Sequence, residues 1–387
     1  MSEFDEEVSR KNTDCVKWDL REDNEVLPLW VADMDFKVMP EIQQAIKERA
    51  NHPIYGYTFE CDAYYASIIN WLKNRHNLQV TKEDLIVIPG VIPGIVNAIH
   101  AYTKPEDSII IQTPVYPPFF HSIEQTKRKL IENPLVEKDG NYNLDLQDFE
   151  DKIVKNNVKM FILCNPHNPV SRVWSPEELA QLCKICVKHE VMILSDEIHS
   201  DFIQPGYKYT CCLNAMPEGN DNCLVSFSAT KTFNLAGLQN ATMVIKNEKL
   251  RKIYQDKMKE NGVMAGNIFG LVATKAAYEF GSAWVDELNK YIGNNYEYLK
   301  QQLNKEVPSA IISPLEGTYL AWVNLNNTVK DPKNAAKNLL KEAKVWVNDG
   351  GDYGMKGTGY IRVNLASPQT MIVEATKRMI VWLKQNQ

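Results

Sequence analysis

The sequence predicts an α/β protein whose main sheet is mostly parallel and flanked by helices. Apolar runs of strand length recur along the chain with helical patterns between them, and this alternation is typical of parallel sheets. Several of the runs are followed by a reactive or hydrogen-bonding side chain, namely Tyr116, Asn168, Asp196 and Lys231. Because the C-terminal ends of parallel strands open on one crevice, we expect these side chains to converge there.

Lys231 lies in SFSATKTFNLAG, residues 226–237, directly after the apolar run CLVSF. A lysine at an interior strand end is costly to keep charged, so we expect its pKa to fall. A neutral amine in such a place attacks carbonyl groups and forms an imine. A surface lysine after an edge strand is the alternative, because short motifs often occur by chance.

The side chains that follow the strands suit a protonated pyridine ring that bears an aldehyde. Tyr116 would stack on the ring, and Asn168 would hydrogen-bond its phenolic oxygen. Asp196 would be the counter-ion of the ring nitrogen, and Lys231 would form the imine. His199 would touch the phenolic oxygen or support Asp196. The alternatives are a core tyrosine at Tyr116, a structural salt bridge at Asp196 and a structural histidine at His199.

The order of these residues resembles that of the fold-type-I enzymes that use pyridoxal 5′-phosphate, specifically the class I/II aminotransferase superfamily. The resemblance runs nearly end to end. Five motifs resemble the cystathionine β-lyase, or C–S lyase, branch of that superfamily: WVADMDF (30–36), YGYT (55–58), NPHNPVSRVW (165–174), SDEIHSDF (195–202) and SATKTFNLAGL (228–238). The resemblance implies that the cofactor is pyridoxal 5′-phosphate, held as an imine on Lys231.

The strand, turn and helix pattern at residues 84–103 predicts an anion site. Gly90 is expected to permit a tight turn, and the amides of Val91 and Ile92 begin the following helix. Backbone N–H groups and the helix dipole favour an anion at such a position. We therefore interpret this turn as the main cradle for the cofactor phosphate.

The resemblance implies further phosphate contacts from Tyr57 and Ser228. Tyr57 would reach the phosphate of a neighbouring subunit, which predicts a homodimer with shared active sites. A structural corner is the alternative for the loop that carries Tyr57. Many related aminotransferases carry a phosphate-binding arginine eight residues after the lysine, where this chain has Gln239. The phosphate must then rely on Ser228, the helix-start amides and Tyr57.

Arg362 lies in YIRVNLASP, on a strand that is otherwise apolar. An arginine there requires a planar anionic partner, and a carboxylate fits its fork of donors. By resemblance that partner is the α-carboxylate of an amino-acid substrate, and the alternative is an acidic residue of the protein. An N-terminal arm is expected to cross onto the site, and the resemblance assigns its Ala32 to the substrate pocket.

Composition excludes several other classes of protein. The chain has 387 residues and a net charge of −6, and it lacks a basic block, which disfavours a nucleic-acid partner. No apolar run approaches the roughly 20 residues of a membrane span, and the charged N-terminus lacks a signal-peptide core, which favours a cytoplasmic protein. The eight cysteines fit reduced thiols. Cys183 and Cys186 form a C-x-x-C within a helical pattern, where we expect helix packing rather than a metal site.

We predict an N-terminal arm (1–45) that joins the small domain, a large cofactor domain (46–285) and a small C-terminal domain (286–387). The predicted activity is β-elimination of cystathionine and related L-cysteine S-conjugates to a thiol, pyruvate and ammonia. One alternative is an aminotransferase that uses the same lysine. The other is a protein that keeps the fold but works by binding a regulator.

Overall fold

The computed structural model describes residues 2–263 and 266–387, in which strands and helices alternate over most of the chain. The strands are β1 (Leu27–Pro28), β2 (Leu85–Ile88), β3 (Ser108–Thr113), β4 (Lys129–Pro134), β5 (Val136–Lys138), β6 (Asn141–Asn143), β7 (Val158–Cys164), β8 (Met192–Asp196), β9 (Cys223–Phe227), β10 (Ala241–Val244), β11 (Ile311–Ile312), β12 (Leu320–Asn324), β13 (Val345–Trp346), β14 (Asn348–Asp349) and β15 (Tyr360–Asn364). The α-helices are α1 (Val16–Asp19), α2 (Pro40–Asn51), α3 (Asp62–His76), α4 (Val91–Tyr102), α5 (Pro117–Gln125), α6 (Leu146–Asn156), α7 (Pro176–Lys188), α8 (Cys212–Ala215), α9 (Ala229–Thr232), α10 (Glu248–Glu260), α11 (Ile268–Phe280), α12 (Ser282–Glu306), α13 (Ala335–Asn338) and α14 (Gln369–Gln385).

The large sheet has seven strands in the order β2-β10-β9-β8-β7-β3-β4. Strands β4, β3, β7, β8 and β9 pair in parallel, whereas β10 runs antiparallel to both of its neighbours. Alternate residues of each strand face opposite sides of the sheet. Ile110 therefore lies in one apolar core, and Ile109 and Ile111 lie in the other. The predicted α/β fold with a mostly parallel main sheet is confirmed.

The register of the central strands brings their C-terminal ends to one level. Cys164 of β7 pairs with Asp196 of β8, and Asp196 pairs with Ser226 of β9. The segments that follow these strands carry Asn168, in a loop, and Lys231, on helix α9. This edge of the sheet is where the sequence predicted the functional side chains.

The second sheet has four antiparallel strands in the order β11-β12-β15-β14. The N-terminal strand β1 pairs with β13, so the beginning of the chain packs with its C-terminal part. Helix α12, of 25 residues, precedes this sheet in the chain. The predicted domain boundaries at residues 45 and 285 remain predictions.

Residues 30–36 connect the N-terminal arm to both sheets. Asp35 N–H donates to the carbonyl of Ala366, and the side chain of Asn234 bonds the backbone of Met34. Farther upstream, the ring of Phe4 packs edge-on against Phe36 at 5.0 Å between centroids. The arm is thus fixed along its length and passes directly over the edge of the large sheet.

Two smaller features bear on the sequence predictions. Cys183 and Cys186 are buried in the core between α7 and the large sheet, as expected of packing residues. Among the described helices, none has the length and the apolar character required to cross a membrane.

Candidate active site

Lys231 lies on the short helix α9, immediately after β9, and its amine points inward. Nζ donates a hydrogen bond to the backbone carbonyl of Ala32. Burial and the neighbouring cation of Arg362 together lower the pKa of the Lys231 amine to about 8, while Asp33 and Asp196 oppose the shift. Lys231 is therefore an enclosed amine that loses its proton readily, and the surface-lysine alternative does not describe it.

Asp196 ends β8 and is 3% exposed. Its Oδ1 accepts from the backbone N–H of Ile198 at 3.2 Å and from the hydroxyl of Ser226 at 3.4 Å. No cationic side chain of the described residues forms an ion pair with it, so the structural salt bridge weighed from the sequence is not seen. Burial raises the pKa of this carboxyl to about 7. A buried carboxylate without a cation is the arrangement expected where a cationic ligand binds.

Arg362 projects from the middle of β15 and is buried. Its Nη2 donates to the carbonyl of Trp30 at 2.8 Å and to Oδ1 of Asn348 at 2.6 Å, and Nη1 donates to Oδ1 of Asn168 at 3.2 Å. Its guanidinium lies 5.2 Å from the centre of the Tyr353 ring, and its buried Nε has no partner among the described residues. None of these partners is an acid, which leaves the cation free to bind a carboxylate from outside the protein.

Tyr116 immediately precedes α5, and its phenol lies within the electrostatic influence of the Asp196 carboxylate. Burial raises the pKa of its phenol, and the negative charge of Asp196 adds to this effect. The ring is half-buried rather than enclosed in the core, which leaves part of its surface available for stacking.

His199 is buried, and its Nδ1 atom has no hydrogen-bond partner among the described residues. Burial holds the pKa of the imidazole well below its usual range, as do the cations of Lys231 and Arg362. The ring packs edge-on against Tyr319 at 5.6 Å between centroids. A neutral imidazole with an open nitrogen is suited to hydrogen-bond a ligand, whereas a hydrogen bond to Asp196 is not present.

Gly90 and the first turn of α4 form the predicted phosphate cradle. The helix begins at Val91 without a side-chain cap and without an acidic residue in its first turn, so its N–H groups, including that of Ile92, are available to an anion. The proposed reason for the glycine was wrong: φ at Gly90 is 168°, which is extended backbone rather than a strained turn. A Cβ atom there would lie 3.5 Å from the ring of Pro93, which is an ordinary van der Waals contact.

The other predicted phosphate contacts are arranged differently. Ser228 caps α9, and its Oγ lies 2.7 Å from the carbonyl of Asn240, to which it donates. Gln239 is exposed and follows a short 3₁₀ helix. Tyr57 is fully exposed, so within one chain it contacts none of the other site residues. These contacts stay predictions, and that of Tyr57 requires a second subunit.

Glu197 is a buried acid next to Asp196 that the sequence did not single out. It accepts hydrogen bonds from the hydroxyl of Ser195 at 2.7 Å, the backbone N–H of Cys212 at 2.9 Å, the amide of Asn165 at 3.3 Å and the phenol of Tyr209. Glu197 therefore joins the loops that follow β7 and β8. Two consecutive acids after an apolar strand were the available signal.

Comparison with known proteins agrees with this geometry. The family model for aminotransferase class I and II matches residues 24–379. The chain belongs to this family. Within it, the chain is 36% identical over 380 residues to cystathionine β-lyase PatB of Bacillus subtilis, with 97% of this chain and 98% of that protein covered.

Solved structures of family members are equally close. The C–S lyase of Staphylococcus hominis, solved with pyridoxal 5′-phosphate bound, is 32% identical, with a TM-score of 0.93 and coverage of 99% of this chain and 98% of that chain. A protein from Clostridium difficile 630, described as a candidate aminotransferase and also solved with pyridoxal 5′-phosphate, is 42% identical, with a TM-score of 0.95 and coverage of 98% and 99%. The resemblance inferred from the motifs is confirmed.

The residues of this chain fit the same cofactor. The carboxylate of Asp196 forms no ion pair within the described part of the chain, and a protonated pyridine nitrogen would supply a cation. The enclosed amine of Lys231 suits an aldehyde. The uncapped start of α4 at Val91 suits a phosphate.

Proposed function

We propose that the protein is a pyridoxal-phosphate-dependent carbon–sulfur β-lyase. It cleaves cystathionine and related L-cysteine S-conjugates to a thiol, pyruvate and ammonia. The observation that carries this proposal is the placement of three groups: the enclosed amine of Lys231, the buried carboxylate of Asp196 and the guanidinium of Arg362. Among residues 2–263 and 266–387, neither Asp196 nor Arg362 has an ion-pair partner. The full-length similarity to a cystathionine β-lyase supports the choice of substrate class.

Each of these groups has a defined task. Arg362 binds the substrate α-carboxylate through its planar fork of donors. Lys231, with an amine pKa of about 8, takes the proton from the α-carbon, since a base works best when its pKa is near the operating pH. The electron pair left on the α-carbon then forms the double bond to the β-carbon as the C–S bond breaks and the thiolate departs. Water hydrolyses the resulting aminoacrylate to pyruvate and ammonia.

The acid at the end of β8 supports this chemistry from the opposite side of the site. When bound, pyridoxal 5′-phosphate supplies an electron sink for the substrate α-carbon. Asp196 keeps a positive charge on the pyridine nitrogen by pairing with it, and the neutral His199 and Asn168 offer hydrogen bonds within the same crevice.

We also propose that the active unit is a homodimer. The exposed loop of residues 52–60 presents Ile54, Tyr55, Tyr57 and Phe59 to solvent, each more than half exposed. Large apolar side chains grouped on one exposed loop are typical of an interaction surface. In this arrangement Tyr57 completes the phosphate site of the other subunit.

The test is incubation of the purified holoprotein with cystathionine, followed by separate measurement of pyruvate and of free thiol. Both should appear in equal amounts without any added keto acid. Lys231→Ala should abolish this turnover, whereas Lys246→Ala should not, because Lys246 is exposed and lies two residues after the end of β10.

Transamination is the competing outcome, since Lys231 can return the proton taken from the α-carbon to a carbon atom of the cofactor instead of the substrate losing its thiolate. Formation of a keto acid only when an acceptor keto acid is added would identify an aminotransferase. If the protein binds the cofactor but catalyses neither elimination nor transamination, this result would instead favour the alternative of a protein that keeps the fold and works by binding a regulator.

A further inference from the structure

Asn364 is a fully buried residue of β15, two positions after Arg362. Its amide nitrogen donates to the carbonyl of Val31 at 2.7 Å and to the carbonyl of Asp33 at 2.6 Å. These two residues flank Ala32. The amide of Asn364 therefore fixes the backbone on both sides of Ala32, the residue whose carbonyl accepts a hydrogen bond from Lys231.

The carbonyl of Ala32 itself is turned toward the active site. It accepts hydrogen bonds from Nζ of Lys231 and from the phenol of Tyr319, the latter at 2.8 Å. With the neighbouring carbonyls fixed by Asn364, the peptide of Ala32 has little freedom to rotate, because its rotation would break those two hydrogen bonds.

The same strand also binds this segment through its substrate-binding residue. Residues two apart on a strand face the same side, and Arg362 donates to the carbonyl of Trp30 at 2.8 Å. Arg362 and Asn364 together thus bind the carbonyls of Trp30, Val31 and Asp33. The strand that receives the substrate carboxylate is thereby connected to the acceptor of the Lys231 amine.

We propose that Asn364 is a positioning residue that orients the carbonyl of Ala32, and through it the amine of Lys231. This inference rests on the proposed role of Lys231 as the base. The amine released during turnover must be held facing the substrate α-carbon, and a misplaced catalytic group can cost up to about 100-fold in rate. Asn364 supplies that orientation without touching the substrate.

The rest of the segment is anchored independently. Arg10 binds both carboxylate oxygens of Asp33, at 2.7 and 3.0 Å, and Lys17 and Arg10 pair with Asp35 at 2.7 and 2.9 Å. Loss of the Asn364 amide should therefore loosen the backbone around Ala32 and leave the arm in place.

The first test uses the Asn364→Ser variant of the full-length, cofactor-free chain. The pH dependence of Lys231 acylation by a small amine reagent is followed by peptide mass spectrometry. The carbonyl of Ala32 favours the protonated amine through a charge-assisted hydrogen bond. We expect the midpoint to fall below its wild-type position near pH 8, so that acylation at pH 7 is about threefold faster.

The other charged or ionisable groups beside the amine stay in place in this variant. They are Arg362, Asp33, Asp196, the neutral His199, and Tyr319, whose phenol donates to the same carbonyl of Ala32. A change in the titration midpoint can therefore be assigned to the carbonyl of Ala32.

The second test measures steady-state kinetics of the holoenzyme. We expect Asn364→Ser to lower kcat about tenfold and to leave KM within about twofold, because Arg362 keeps its bonds to Asn348 and Asn168. The matched control is Asn295→Ser. Asn295 is equally buried, and its amide donates to the carbonyls of Leu365 and Ser367, both at 2.9 Å.

The control should lose stability but keep the acylation midpoint and kcat. If Asn364→Ser does not fold, the Asn364→Thr variant serves, because its β-branched side chain suits a strand and adds no charge near the amine. An unchanged midpoint in a folded Asn364 variant, or an equal shift in Asn295→Ser, overturns the inference. The acylation result needs no turnover, so it stands or fails separately from the lyase activity.

Discussion

Oδ1 of Asn168 accepts a hydrogen bond from Nη1 of Arg362 at 3.2 Å, and both residues are buried. The loop after β7 in the large sheet thereby contacts β15 in the second sheet. The residue proposed for the cofactor and the residue proposed for the substrate carboxylate share this bond. A substrate carboxylate that binds Arg362 should therefore also affect the position of Asn168, the residue proposed to hydrogen-bond the cofactor.

Replacement of Arg362 by lysine should raise KM by about 10- to 100-fold, since one ammonium cannot replace the forked donors of a guanidinium. Steady-state kinetics with cystathionine measure this change. Arg172→Lys is the control, because Arg172 pairs with Glu316 and Glu178 rather than with the site residues. Similar KM values for wild type and Arg362→Lys would argue against carboxylate binding by Arg362.

Asp196→Asn should stabilise the cofactor-free protein at neutral and alkaline pH. The pKa of Asp196 is raised by burial from 3.8 to about 7. The folded state therefore holds an extra proton, and its stability falls as the pH rises from about 4 to above 7. The largest gain for the neutral variant is roughly 4 kcal/mol. Urea unfolding at pH 4 and at pH 8 measures the difference.

Asp201→Asn is the matched control for that experiment. Asp201 is also buried, and burial alone would raise the pKa of its carboxyl. His76 lies 3.0 Å from the carboxylate, however, and the net effect is a lowered pKa for Asp201. Its contribution to stability is present above the unfolded pKa and is lost in acid. The Asp201 variant should thus lose stability at pH 8, and the same sign in both variants would refute the proposed difference.

Two inactive variants should restore activity to each other if Tyr57 completes the site of a second subunit. In a hybrid dimer of Tyr57→Ala and Lys231→Ala chains, one site carries both defects and the other carries neither. Refolding a mixture of the two chains and assaying pyruvate release tests this expectation. Lys231→Ala mixed with Arg362→Ala should stay inactive, because both of these residues belong to one chain's site.

Lys17→Met should destabilise the protein by about 2–3 kcal/mol, because the buried carboxylate of Asp35 loses the nearer of its two cations and keeps only Arg10. Thermal or urea unfolding measures this loss. Lys37→Met should change stability little, since Lys37 and its partner Glu6 are both more than half exposed. Comparable effects of the two changes would show that the buried ion cluster is not what holds the arm.

The positions that follow directly from strand ends could be predicted from the sequence. Asp196 and Lys231 end or follow apolar runs, and parallel strands bring such positions together. The contacts of Asn364 with Val31 and Asp33 could not, because they join residues more than 300 positions apart, and no spacing or period encodes such a pair. Glu197 was missed for a related reason, because its partners come from β8, from the loop after β7 and from the segment after β8. The role of a buried amide or acid can be inferred only when its hydrogen-bond partners are known.

The eight thiols of the chain are unequal in their access to solvent. Six of them are buried, and burial contributes to a raised pKa for each: Cys164, Cys183, Cys186, Cys211, Cys212 and Cys223. Cys15 is half-buried. Cys61 is exposed and directly follows the loop that carries Tyr57. A maleimide dye on the native protein should therefore attach preferentially at Cys61, where its fluorescence can report subunit association without any engineered cysteine.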